Sequence, residues 1–184
     1  MHDPDSSLNR RENRQPGERF GRWMVYGAWI LLILLLTFLF TRWLEYQHNP
    51  NRDLMLRHDP NGKSAVTLQR NRAGHYVASG LINGEPVVFL LDTGATHVAL
   101  PAVLADRLGL VRGVASTSIT ANGRVTSWLT RLDELQLGSI VMRDVRASIL
   151  PSMPGNEVLL GMSFLKHLEL VQQDGQLILS VPGE

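Results

Sequence analysis

The chain has 184 residues, 44% of them hydrophobic and 19% charged, which leaves room for one compact globular domain and an appendage. The formal net charge is +1, and residues 64–184 carry nine Lys and Arg against ten Asp and Glu, which argues against a nucleic-acid-binding surface. Cysteine is absent, which excludes disulfides, thiolate metal sites and cysteine nucleophiles.

The first predicted element is a single transmembrane helix at residues 23–41. This stretch contains no charged residue and is bounded by Arg22 and Arg42. A helix of this length nearly spans a hydrocarbon core of about 30 Å. The alternatives are a cleaved signal peptide, whose apolar stretch is shorter and is followed by small residues, and a buried core helix, which is seldom apolar on every face. Both fit these residues less well.

Arginines predict the orientation of this helix. Five precede it, at positions 10, 11, 14, 19 and 22, and three follow it over a similar distance, at positions 42, 52 and 57. Because positive residues are retained in the cytoplasm, residues 1–22 are predicted to be a cytoplasmic basic tail. The rest of the chain is then periplasmic or otherwise extracytoplasmic, attached to the inner (cytoplasmic) membrane.

Residues 42–63 are predicted to form a linker. They are polar and are interrupted by Asn49-Pro50, Asp59-Pro60 and Asn61-Gly62, all of which are turn or breaker pairs. A mostly flexible tether is the main interpretation. A short docking element around residues 54–56 is the alternative.

Residues 64–184 have the pattern of an all-β domain. Short runs rich in Val, Ile, Leu and Thr are separated by turn pairs, and Asn83-Gly84, Asn122-Gly123 and Asp174-Gly175 predict three hairpins. One short helix is predicted at residues 101–108 and a second after Gly161. This order of elements disfavours a doubly wound nucleotide-binding fold.

The segment with candidate chemistry is Asp92-Thr93-Gly94, which follows the apolar run 87–91. An aspartate that emerges from a buried strand into a Gly-containing turn is held by backbone N–H groups and is partly desolvated. The tripeptide alone also fits an ordinary turn. Its context favours chemistry, because a polar hairpin, SITANGRVTSW, and the run VLLG at residues 158–161 follow it in order.

With these motifs the chain resembles the retropepsin-like aspartic proteases, above all a bacterial membrane-anchored group that shares LLDTGAT, TANG and LLGMSFL. The resemblance covers residues 64–182. It implies an all-β acid-protease barrel with one or two short helices, preceded here by the transmembrane helix.

The resemblance also implies roles for individual residues. Asp92 is the catalytic carboxylate, and Thr93, Gly94 and Ala95 complete the active-site loop. The remaining matches are a flap over the substrate, made by Thr120, Ala121, Asn122 and Gly123, and a structural support behind the loop, made by Leu159, Leu160 and Gly161. Viral members have more glycine in the flap than this chain, which has only Gly123.

Peptide hydrolysis of this type needs two carboxylates that share one proton. The chain has one Asp-Thr-Gly and no Asp-Ser-Gly, so the second aspartate has to come from another chain. A two-fold symmetric homodimer places Asp92 of each copy at the axis. A heterodimer with a related chain is the alternative. By resemblance, the C-terminal segment QLILSV is a candidate for the contact between copies.

Other constellations carry less weight. Ser163 lacks the second glycine of a nucleophile elbow, and the six histidines have no spacing suited to zinc. His97 is interpreted as a partly exposed strand residue, and Asp133, Glu134 and Asp144 are left out of the mechanism. No cofactor and no metal are expected.

The sequence therefore predicts a membrane-anchored aspartic endopeptidase that acts on a protein or peptide substrate as a homodimer. A membrane-tethered peptide-binding module with the same fold and no turnover is the alternative function.

Overall fold

The structure is a computed structural model that describes residues 17–54, 65–120 and 123–183. It divides into two units, Met1–Trp43 and Leu44–Glu184. The first unit contains most of α1 (Gly17–His48), whose apolar stretch is exposed. Among the described residues, α1 is the one helix long and apolar enough to cross a membrane.

The second unit is mostly β, as the sequence predicts. Its elements are, in chain order, β1 (Ala65–Gln69), β2 (Val77–Ile82), β3 (Glu85–Leu91), β4 (Val98–Pro101), α2 (Ala102–Arg107), β5 (Ala115–Thr120), β6 (Gly123–Leu137), β7 (Ile140–Leu150), β8 (Glu157–Leu160), α3 (Met162–Leu165), β9 (Glu169–Gln173) and β10 (Gln176–Ser180). The two short helices are those predicted near residues 101–108 and after Gly161.

Six strands close into a barrel in the order β2-β3-β8-β4-β7-β6, and a pairing between β2 and β6 completes the circle. The predicted acid-protease barrel is therefore confirmed. Gly80 allows the closure, because a Cβ at this position would lie 2.3 Å from the carbonyl oxygen of Gln136 on β6. β5 extends outward from β6.

The barrel core is formed by the inward-facing residues of the strands. In β3, Val87 and Phe89 are buried while Val88 is only partly buried, as expected for a strand with period-2 alternation. Phe89 and Phe164 are the two largest side chains that are fully buried. Burial of such side chains contributes about 1.5–3 kcal/mol each.

A separate three-stranded sheet has the order β1-β10-β9. The predicted hairpin at Asp174-Gly175 joins β9 to β10, and the one at Asn83-Gly84 joins β2 to β3. Asn83 and Asp174 have φ of 51° and 49°, the left-handed conformation that these turns require. The third predicted hairpin joins β5 to β6, but its Asn122 lies outside the described residues.

The first part of the predicted linker packs against this second unit. Asn49, Asn51 and Leu54 are each only 4% exposed, and Asn51 forms an isolated parallel bridge with Ala78 of β2. Residues 55–64 lie outside the described residues. The division of residues 42–184 into linker and domain remains a prediction, but residues 44–54 contact the globular unit directly.

Candidate active site

Asp92 lies immediately after the C-terminal end of β3. This strand pairs in parallel with β8, and Leu91 is opposite Leu160. The backbone N–H of Asp92 donates to the carbonyl oxygen of Leu160 at 3.2 Å, so the parallel ladder continues into the Asp92 loop. The position of the aspartate is thereby set by two buried strands of the barrel.

The carboxylate of Asp92 is held by its own loop. The backbone N–H of Gly94 donates to Asp92 Oδ1 at 2.8 Å, and the N–H of Ala95 donates to the Asp92 carbonyl oxygen at 3.2 Å. A Cβ on residue 94 would lie 3.1 Å from Oδ1 and would crowd the carboxylate. Asp92 and Ala95 are half-buried, whereas Thr93 and Gly94 are exposed.

The turn between β8 and α3 supports this loop from behind. A Cβ on Gly161 would lie 2.2 Å from the carbonyl oxygen of His97 and 2.6 Å from that of Ala95, so only glycine fits without a backbone shift. The N–H of Met162 donates to the Ala95 carbonyl oxygen at 2.8 Å. Leu160 is fully buried, and Leu159 pairs with Leu90 on one side and Ala99 on the other.

Ser163 is a residue whose role the sequence does not reveal. Its Oγ donates to the carbonyl oxygen of Arg146 at 2.7 Å and accepts from the N–H of Val98 at 2.9 Å. Its backbone N–H donates to the carbonyl oxygen of Thr96 at 2.9 Å. Ser163 therefore joins the Asp92 loop, β4 and β7, which is a structural function rather than that of a nucleophile.

The predicted flap is the β5–β6 hairpin. Thr120 pairs with Gly123 at its end, and Ala121 and Asn122 lie outside the described residues. At the base of the hairpin, the Arg112 guanidinium donates to Asp106 at 2.7 Å and lies over the Trp128 ring at 5.6 Å from its centroid.

A cavity of about 650 Å³ in the globular unit is not lined by Asp92. His97, Leu110, Val114, Leu129 and Arg146 are among its lining residues. The Asp92 loop and this cavity are thus separate features.

Other acidic groups are engaged elsewhere. Glu134 pairs with Arg143 at 3.3 Å, and Asp144 pairs with Arg131. Asp133 is exposed and lines the large cavity. Within the described ranges no three His, Asp or Glu side chains are grouped in a way that would hold a metal ion.

Chemically, the loop presents one oriented carboxylate at a half-exposed position on a rigid support. A lone carboxylate of this kind accepts a proton from a water molecule. A second acid brought to the same place would supply the proton that the hydrolysis of an amide also requires.

Comparisons with known proteins agree with this geometry. The gag-polyprotein putative aspartyl protease family matches residues 78–167. A Sinorhizobium sp. protein described as "uncharacterized protein in cobV 5′ region" is 31% identical over 170 residues, which cover 86% of this chain and 73% of that protein.

Two solved structures are also similar. A retropepsin-like aspartic protease from Rickettsia conorii is 27% identical with a TM-score of 0.55, over 64% of this chain and 90% of that chain. EIAV protease, complexed with the inhibitor HBY-793, is 24% identical with a TM-score of 0.43, over 52% of this chain and 89% of that chain.

Proposed function

This chain belongs to the retropepsin-like family of aspartic proteases, and from that premise we propose that it is a membrane-anchored aspartic endopeptidase active as a homodimer. The observation that carries the proposal is the Asp92 carboxylate, oriented by the Gly94 N–H on a loop supported by Gly161. Nothing in this arrangement favours a peptide-binding module without turnover.

The proposed dimer supplies the second carboxylate. The chain has a single Asp-Thr-Gly, and its Asp92 loop is exposed rather than enclosed. A two-fold axis beside this loop brings two copies of Asp92 together, so that one proton is shared between them and each dimer has one site. Exposure of Thr93 and Gly94 is consistent with a contact between the two loops.

The edge strand β9 supports a specific surface for this contact. In the described part of the chain β9 pairs on one side only, with β10, and all five of its residues are exposed. Leu170 and Val171 are 38% and 51% exposed, and an open edge strand with exposed apolar residues is a template for pairing with another chain. Antiparallel pairing of β9 with β9 of a second copy would cover both.

This assignment moves the contact away from the segment QLILSV, which the sequence suggested. That segment forms β10, which lies between β1 and β9 and has no free edge. In a centred register Val171 would face its own symmetry mate, and Glu169 would face Gln173. The two glutamates would then not oppose each other.

In the proposed reaction, the ionised Asp92 takes a proton from a water molecule while the water oxygen attacks the peptide carbonyl carbon. The protonated Asp92 of the second copy gives its proton to the carbonyl oxygen. The resulting tetrahedral diol then breaks its C–N bond: the nitrogen takes the proton held by the first Asp92, and a diol hydroxyl returns a proton to the ionised Asp92 of the second copy, so that the dyad again holds one proton. The residues call for no cofactor.

Membrane anchoring is assigned to α1. Its apolar stretch spans a bilayer by length, and the arginine-rich residues before it support a cytoplasmic N-terminus with a periplasmic or extracytoplasmic protease domain. Confinement of two copies to one membrane raises their effective concentration and favours dimerisation.

The test is cleavage of a peptide library by the full chain in detergent or nanodiscs, comparing wild type with Asp92→Asn. Asp174→Asn is the matched control, because Asn fits the left-handed turn at Asp174 equally well. Wild type and control should cleave with a bell-shaped pH profile, since the dyad needs one proton, and Asp92→Asn should not. Equal cleavage by all three proteins would refute the proposal.

A further inference from the structure

The residues that follow the apolar helix are built into the globular unit by buried hydrogen bonds. Asn51 Nδ2 donates to the carbonyl oxygens of Val77 at 2.7 Å and Gln69 at 2.9 Å, and its Oδ1 accepts from the Gln69 N–H at 2.7 Å. Its backbone carbonyl accepts from the N–H of Ser79 at 3.1 Å. We call residues 45–54 the juxtamembrane segment.

Asn49 completes this attachment. Its Nδ2 donates to Ser79 Oγ at 3.0 Å, and its Oδ1 accepts from the Asn51 N–H at 3.0 Å. Because both asparagines are buried, their polar atoms would destabilise the fold if these partners moved away. The segment is therefore fixed to β1 and β2 rather than loosely attached.

One chain of contacts leads from this segment to the strand that precedes Asp92. Asn71, which is 9% exposed, donates from Nδ2 to the carbonyl oxygen of His48 at 3.0 Å. Its Oδ1 accepts from the His75 N–H at 2.9 Å, and its own N–H donates to the His75 carbonyl at 2.8 Å. The next residue, Tyr76, accepts from the N–H of Leu91, which is adjacent to Asp92.

A second, independent chain of contacts reaches the other side of Asp92. The His48 side chain pairs with Glu157, the first residue of β8. Three residues later, β8 ends at Leu160, whose carbonyl oxygen accepts the N–H of Asp92. His48 thus contacts Glu157 of β8 directly through its side chain, and its backbone carbonyl contacts Asn71, which is linked to β3 through His75 and Tyr76.

We propose that His48 is a positioning residue of the active site, acting through Asn71 and Glu157 to fix the placement of Asp92. This inference rests on the proposed function. Two symmetry-related carboxylates share a proton only at a short separation, so a small shift of β8 or of the Asn71–His75 turn would alter the dyad in both copies. The end of the membrane helix is then part of the catalytic machinery and not only an anchor.

The test compares two polar side-chain contacts at the surface that both involve the juxtamembrane segment. Glu157→Gln weakens the contact between Glu157 and His48. The His48 side chain is 58% exposed and the Glu157 side chain is 32% exposed. Arg52→Gln removes the pair between Arg52 and Glu45, which are 33% and 51% exposed and lie within the segment itself. Exposed pairs of either kind contribute little to stability, at most about 1 kcal/mol.

The full chain in nanodiscs is assayed with a peptide that wild type cleaves. We expect Glu157→Gln to lower kcat on the order of tenfold. The KM and the unfolding temperature of this variant should stay close to those of Arg52→Gln. His48→Gln should do the same. The double variant should be no slower than either single variant, because both changes break one contact.

Equal kcat values for Glu157→Gln and Arg52→Gln would overturn the inference, as would a loss of kcat that follows a loss of thermal stability or of dimer. Failure of the proposed function has a different outcome. In that case wild type and Asp92→Asn would not differ in peptide cleavage.

Discussion

Mixing wild type with Asp92→Asn distinguishes a shared active site from a site within one chain. In the proposed homodimer each chain contributes one Asp-Thr-Gly, so an active dimer would need two wild-type copies. If chains exchange freely, the activity per wild-type chain equals the wild-type fraction. It falls to about one half at equal amounts and to about one quarter at threefold excess of the variant.

The assay is the initial rate of peptide cleavage after the two proteins are mixed in detergent and allowed to exchange. The variant protein should be isosteric and folded, because Asn retains an oxygen that accepts from the Gly94 N–H, as Asp92 Oδ1 does at 2.8 Å. A control variant with both Asp92→Asn and Gln172→Pro should not inhibit, because Pro at position 172 removes an N–H that faces the open edge of β9 rather than β10. A rate independent of added Asp92→Asn would refute the reasoning and favour a site completed by a different chain.

Three further outcomes are expected. Gly161→Ala should destabilise the fold by about 3 kcal/mol or more and abolish cleavage, because its Cβ would overlap backbone oxygens of the Asp92 loop, as measured by urea unfolding and peptide assay. Gln172→Pro alone should shift the protein from dimer to monomer in analytical ultracentrifugation, and unchanged mass would move the contact away from β9. Asn51→Ala should lower the free energy of unfolding by about 2–4 kcal/mol, because it leaves buried peptide groups of β1 and β2 without partners. A change below about 0.5 kcal/mol would show that water replaces the Asn51 amide.

The barrel and its turns were predictable because local signals decide them. Asn83-Gly84 and Asp174-Gly175 require positive φ, and few other pairs of residues adopt it readily. Pro101 predicted the start of a helix, because the missing N–H of proline has no effect there. The observed helix α2 begins one residue later, at Ala102. Alternation of Val87 and Phe89 with outward residues identified the face of β3 toward the core.

The order of the strands was not predictable from such signals. β8 lies between β3 and β4, although more than fifty residues separate it from either in sequence. The need for glycine at position 161 is visible only in the fold, where a Cβ on this residue would overlap the carbonyl oxygens of Ala95 and His97. Likewise, the position of β10 between β1 and β9 was not predictable, and it is the reason that we propose β9 for the contact between copies.

The juxtamembrane segment shows where composition misleads. Asn49-Pro50 is a breaker pair and predicts a flexible tether when it is considered alone. In the fold, the amides of Asn49 and Asn51 act as additional peptide groups, because a side-chain amide has the same donor and acceptor as the backbone. Polar residues buried in this way have no hydropathy signal, and their partners at Gln69 and Val77 are distant in sequence. The functional boundary of the catalytic unit therefore follows buried hydrogen bonds, and a soluble fragment has to begin near Leu44 rather than residue 64 to retain them.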